Sequence, residues 1–177
     1  MKQFITLTFI TFILSFCNAQ SSESKLDLNP DNIKHQALKM MDFLIKRNCD
    51  SFIEFVYPKI IEMFASKKEA MLAITNSWKK SDADSMKIIK FKLGEPSKII
   101  SQEDELQCTI PQSFEFENPK SQVIVKSTLI AISRDKGEKW YFIDAFGKNR
   151  EKIKSIFPNI SNQLIIPEQA KPELIKN

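Results

Sequence analysis

Residues 121–145, SQVIVKSTLIAIS-RDKGE-KWYFIDA, decide the fold. Both arms alternate apolar and polar side chains, and a period of two marks a strand with two unlike faces. The RDKGE between them supplies the charges and the glycine of a turn, so the stretch reads as a long β-hairpin. In the second arm Trp140, Phe142 and Asp144 fall on one face, and Tyr141 and Ile143 on the other. The rest of the chain is placed by asking which face it covers.

Working backwards from the hairpin, the period of two persists to Met86. Ile89, Phe91 and Leu93 alternate with Ile88, Lys90 and Lys92, and Gly94-Glu95-Pro96 ends that strand. Residues 98–101 predict a short strand, 102–105 a turn, and 106–110 the return, with Leu106, Cys108 and Ile110 on one face. Pro111 predicts a bulge or an edge, because it has no N–H to give to a ladder. Phe114 and Phe116 extend the alternation to Asn118-Pro119.

Before Met86 the spacing is helical. Asp31 can cap a helix running to about Arg47, with Ile33, Ala37, Met40, Met41 and Leu44 on one stripe. Ser51-Phe52-Ile53-Glu54 and Ser66-Lys67-Lys68-Glu69 have the form of capping boxes. Pro58 lies inside the densely apolar second helical stretch and predicts a kink or two short helices. The third helix is expected to end near Lys80. Beyond the hairpin, residues 149–157 predict a short helix. Pro158, Pro167 and Pro172 leave a mostly irregular tail, with Leu164-Ile165-Ile166 docking on the body. Helices followed by strands imply an α+β fold: N-terminal helices packed on a curved antiparallel sheet of about five strands, cone-like in shape. The expected division is a signal peptide at 1–19, a flexible lead-in at 20–30, the α+β domain at 31–157 and the tail at 158–177.

The leader has three parts: Met1-Lys2, the uncharged run FITLTFITFILSF, and Cys17-Asn18-Ala19. The run is shorter than the roughly 20 apolar residues of a membrane span, so cleavage after Ala19 and export to the periplasm or medium are expected. A lipoprotein tether at Cys17 is the lesser reading, because Phe16 stands where a small residue normally precedes the lipidated cysteine. In an exporting compartment Cys49 and Cys108 can pair, closing a loop worth about 4 kcal/mol. Alternatively they are two buried free thiols acting as small hydrophobes.

The net charge of +4 is spread among interspersed acids and bases, without the basic run and interleaved aromatics of a nucleic-acid binder. His35 is the single histidine, which excludes multi-histidine metal sites, and no Cys–Cys–His cluster stands at zinc spacing. Gly94, Gly137 and Gly147 stand alone, so no phosphate-cradling loop is encoded. No cofactor is predicted.

The candidate chemistry is sparse. Asp144, at the end of an aromatic strand face, is either a desolvated general base or the cap of the turn at Phe146-Gly147. Tyr57, beside Pro58, places a phenol in a cavity or is a core aromatic with a bonded hydroxyl. Trp78, Trp140 and Phe142, with Phe52, Phe55, Phe64, Phe91 and Phe114, line a pocket or fill a core.

The helix-then-strand layout over residues 31–157 resembles the nuclear transport factor 2-like (cystatin-like α+β cone) superfamily. FIEFVYPKIIEM, LGEPSKI, CTIPQ and STLIAISRDKGEKWYFIDA are also similar to a group of small exported bacterial proteins of unknown function. The first resemblance implies a cavity between the helices and the concave face of the sheet. Members of that superfamily use it to bind apolar ligands or to catalyse isomerisation, dehydration or hydrolysis, or they fill it with side chains. The expected function is non-catalytic binding of a small apolar ligand or a partner protein in the cell envelope. The alternative is an isomerase- or hydrolase-type enzyme using Asp144 and Tyr57. A third reading is an accessory factor acting through an exposed sheet face or the tail.

Overall fold

The computed structural model describes residues 29–168 and 170–175. The expected signal peptide, Cys17 and nearly all of the lead-in lie outside the described residues. The spine of the fold is β3 (Glu105–Asn118) turned back on β4 (Ser121–Ser133). Their antiparallel register runs without a slip from Leu106↔Ser133 to Asn118↔Ser121. Asn118 holds the turn: its Oδ1 accepts from the N–H of Lys120 at 2.8 Å and of Ser121 at 2.9 Å.

Around this pair the sheet is six-stranded, antiparallel and open, in the order β1-β3-β4-β5. β1 (Lys87–Leu93) and β2 (Ile100–Gln102) share the outer edge of β3, and β5 (Tyr141–Asp144) and β6 (Glu173–Ile175) share the outer edge of β4. The arm after RDKGE is therefore short, and β4 rather than the whole expected hairpin is the central element. Pro111 lies inside β3, and the β3–β4 register carries no bulge there. Its outer neighbour is the Gly94 segment just past β1, where the Gly94 N–H donates to the Pro111 carbonyl. The missing donor thus faces an irregular edge, as a proline requires.

Alternation separates the two faces. Cys108, Ile110, Phe114, Leu129, Ala131, Trp140 and Phe142 pack against Ile33, Ala37, Met40 and Met41 of α1 (Pro30–Ile45). Ile130, Ile132, Ile143 and Ala145 face the other way, onto Ile153 and Phe157 at α5 (Arg150–Ile156) and Ile160, Leu164 and Ile166 of the tail. Each fully buried Leu, Ile or Phe stabilises by about 1.5–3 kcal/mol relative to exposure. The α+β class holds, with N-terminal helices over one face of a curved sheet. The second face is covered as well, by α5 and the tail.

Helix starts differ from expectation in detail. Asn29, not Asp31, caps α1, accepting from the Asp31 N–H at 2.9 Å, and Pro30 takes the first helical position, where its missing N–H costs nothing. Asn48 caps α2 (Cys49–Phe52) through the Ser51 N–H, so Ser51 lies within the helix it was expected to open. A 3-10 turn (Ile53–Phe55) and α3 (Pro58–Ile61) follow, the break at Pro58 being the expected one. Ser66 caps α4 (Lys67–Ala83) as its sequence predicts. In β1 a register shift between Ile88 and Lys90 turns Ile89 outward, and Ile88 packs with Phe91 and Leu93 instead.

The β4–β5 turn is built tightly. Lys136 and Gly137 adopt φ of 63° and 98°, which the glycine tolerates without strain. Helix α1 grips the turn through side-chain amides. Asn32 Nδ2 donates to the Gly137 carbonyl and Gln36 Nε2 to that of Glu138, while the Trp140 N–H donates to Gln36 Oε1.

Candidate functional site

Trp140 and Phe142 lie in the helix-side core, 1% and 3% exposed, with the indole N–H donating to the Gly137 carbonyl at 2.9 Å. Trp78 sits on α4, edge-on to Phe52 at 5.6 Å and beneath the Arg47 guanidinium. It belongs to the contact between α2 and α4 and not to a shared aromatic cavity. Tyr57 is fully buried on the opposite face, in the cluster of Ile143 and Phe157. Asp144 follows the parity of Phe142 and stands on the helix side. The structure therefore does not bring Tyr57 and Asp144 into one site.

Asp144 is an exposed residue in protein-dense surroundings. That crowding pushes its carboxyl up from the ordinary value, against hydrogen bonds from the Phe146 N–H and the Ser127 hydroxyl and the charge of Lys148. Its Oδ1 accepts from Phe146 at 2.9 Å and Ser127 at 3.0 Å, and Gln112 Nε2 donates to Ser127 Oγ at 2.8 Å. The residue nonetheless keeps contact with water, and its hydrogen-bond geometry is that of a turn cap.

Sequence reading missed a polar cluster around Tyr57. Its hydroxyl donates to Glu105 Oε1 at 2.8 Å, and Arg134 Nε donates to the same oxygen at 2.8 Å. Gln107 Nε2 donates to Glu105 Oε2 at 3.0 Å, and Asn159 Nδ2 reaches both Glu105 Oε2 and the Tyr57 hydroxyl. Burial alone would push the Glu105 carboxyl up. The bonds from Arg134, Tyr57 and Gln107 outweigh it and hold the carboxyl below its ordinary value. Gln107 Oε1 also accepts from the Ser161 N–H at 2.9 Å, so the cluster fastens the start of the tail to β3. The only sequence signal was the alternation itself, which places Glu105, Gln107 and Thr109 together on the face opposite Leu106, Cys108 and Ile110.

Cys49 and Cys108 are free and buried. Cys49 points its thiol at the Met71 carbonyl, 3.7 Å away, while Cys108 lies in the helix-side core. Burial pushes the Cys108 thiol up to about 12. The thiolate is the reacting form, so Cys108 is expected to resist iodoacetamide at pH 8 in the folded protein and to alkylate once unfolded in urea. Rapid native-state labelling of Cys108, read by peptide mass, would contradict its placement.

Among the described residues two clefts stand out on the surface, and none of Tyr57, Trp78, Trp140, Phe142 or Asp144 lines either. One, of about 770 Å³, is framed by polar residues at the end of α4 and the β3–β4 turn, including Asp82, Lys87, Asn118 and Lys120. The other, of about 700 Å³, lies on the sheet face opposite α1. Leu164 and Ile166 cover the isoleucines of that face, but farther along the sheet the tail leaves Pro111 and Thr128 uncovered. Pro111 and Thr128 are cross-strand partners, and Ala145 joins them through its N–H to the Thr128 carbonyl. These residues form the floor of a groove walled by Ile165 and Pro167. Ile165 was expected to dock with its neighbours and is instead 72% exposed on that wall.

Among the described residues no group of three or more His, Cys, Asp or Glu side chains is placed to hold a metal ion. No described helix is long and apolar enough to cross a membrane. No family model matches the chain, and neither a curated protein nor a solved structure matches it.

Proposed function

We propose that the protein is a non-catalytic binder of a small apolar molecule in the cell envelope, and that the groove over Pro111, Thr128 and Ala145 is its site. The observation that carries this reading is the groove's about 700 Å³ volume together with its floor and wall of Pro, Ala, Ile and Thr side chains. Pockets of that size suit a single small molecule, and burial of its apolar surface supplies the affinity. The aromatic interior plays the other part, that of a filled core. The three-part leader supports the envelope, and the helix-then-strand layout is in keeping with the nuclear transport factor 2-like cones.

The test is calorimetric titration with dodecanol, an uncharged alkyl probe, below its solubility limit. Saturable one-to-one binding is expected, with loss of binding in Thr128→Trp, whose indole would fill the groove from its floor. Absence of saturable binding to the folded protein would end this reading.

A further inference from the structure

β6 lies on the outer edge of β4 and lends no residue to either core. Glu173, Leu174 and Ile175 pair with Ile124, Val123 and Gln122, and Leu174 stands exposed. The tail is already anchored upstream by Ile160, Leu164 and Ile166. Alternate residues of an antiparallel strand turn their N–H and carbonyl groups to the same edge. Thr128 turns to the outer edge of β4, since its carbonyl accepts from the Ala145 N–H, and the unslipped β3–β4 register takes Lys126, Ile124 and Gln122 with it. β6 meets Ile124 and Gln122, and β5 begins its pairing at Leu129. Between the two, the main-chain groups of Lys126 have no strand partner among the described residues. Continued two residues beyond Ile124↔Glu173, the register would set Lys171 opposite Lys126, and like charges directly opposite are destabilising. β6 thus stops one hydrogen-bonded pair short of filling the edge, held at its side chains by the single exposed ion pair of Glu173 with Lys126 at 2.7 Å.

We propose that the outer edge of β4 from Gln122 to Lys126 docks an extended segment of a partner protein by strand addition, and that β6 is the chain's own occupant of that edge. In strand addition main-chain bonds supply the affinity and alternate side chains the choice of partner. The partner strand runs antiparallel to β4, as β6 does. It sets an acid opposite Lys126, where the tail would bring Lys171, and apolar residues opposite Val123 and Gln122, where the tail has Leu174 and Ile175. It thereby makes the two main-chain bonds to Lys126 that β6 lacks, a gain of about tenfold. The short link from Ile166 gives β6 a high local concentration, so only a strand that exceeds it in pairs displaces it. Main-chain pairing at this edge is independent of whether the groove holds a small molecule.

The probe is a fluorescein-labelled peptide of residues 170–177 carrying Lys171→Glu and Pro172→Val, titrated with the whole protein and read by anisotropy. Saturable one-to-one binding is expected, about tenfold weaker for the unaltered 170–177 peptide. The Glu173→Pro protein loses the N–H that pairs with Ile124 and vacates the edge, while both cores keep all their residues. It is expected to bind the probe about tenfold more tightly than the wild type. Methylating the probe's backbone nitrogen opposite Lys126 is expected to weaken binding about fivefold. Equal affinity of the wild type and Glu173→Pro, or indifference to the methyl group, would overturn the placement at this edge. Absence of saturable binding to Glu173→Pro would overturn strand docking altogether. A Glu173→Pro protein that dimerises in sedimentation and ignores the probe would give the edge to a second copy of the chain and overturn the partner segment.

Discussion

Trp140→Ala is expected to lower the unfolding free energy by about 3–5 kcal/mol. Trp140 is 1% exposed, and its ring is shared between the helix-side core and the β4–β5 turn. Truncation removes the transfer free energy of the indole and leaves a space that α1 cannot close, because Asn32 and Gln36 fasten the helix to the turn carbonyls. Domains of this size are stable by about 5–15 kcal/mol, so the loss is a large share of the total. Trp140→Phe keeps most of the volume and loses the N–H bond to Gly137, so it should cost about 1–2 kcal/mol. Urea unfolding followed by the fluorescence of the remaining Trp78 would measure both. A loss below about 1 kcal/mol for the alanine variant would mean that Trp140 does not hold the core.

Glu105→Ala is expected to cost about 3 kcal/mol at pH 7, more than a surface ion pair would suggest. Arg134 is 40% exposed and recovers water when its partner is removed, so the charge pair itself is the smaller part. The larger part is the set of inward donors left behind, namely the Tyr57 hydroxyl and the amides of Gln107 and Asn159, under a side chain that was 8% exposed. The effect also has a pH signature. The folded carboxyl is held below its unfolded value, so its stabilisation is full above the ordinary carboxylate range and is lost as pH falls through the lowered folded value. Glu105→Ala should therefore flatten the acid side of the stability–pH curve. Thermal melts of the wild type and variant from pH 3 to pH 7 that fall in parallel would contradict the role of Glu105 as the charged centre of the cluster.

Much of the architecture was legible, and for identifiable reasons. The alternation of Trp140, Phe142 and Asp144 against Tyr141 and Ile143 reports a face directly, and the two cores divide along it. Ser66 and Pro58 act locally, so their effects on α4 and α3 needed no tertiary knowledge. β6 was hidden because a three-residue strand with exposed residues has almost no pattern of its own and exists through its pairing with Gln122–Ile124. Ile89 deceived because a register shift exchanges faces without any mark in the alternation. The site was the least legible part. A groove is made by where the tail stops covering the sheet, and the step between buried Ile166 and exposed Ile165 depends on long-range packing, not on spacing. Glu105 read as part of a turn because a carboxylate is surface-like until donors from residues as distant as Arg134 and Asn159 converge on it.

The tail is held at two places of unequal strength. Near its start Ile160, Leu164 and Ile166 are sunk in a core and Ser161 is tied to Gln107, whereas β6 rests on three residue pairs and one exposed ion pair to Lys126. Local opening free energies follow buried contacts, so the tail comes away from its β6 end first, as a hinged flap pivoting near Ile166. Such an opening bares the edge of β4 and widens the groove without melting either core. Lys126 gives up Glu173 in the same motion. Opening of the tail and unfolding of the domain are then separate events with separate free energies.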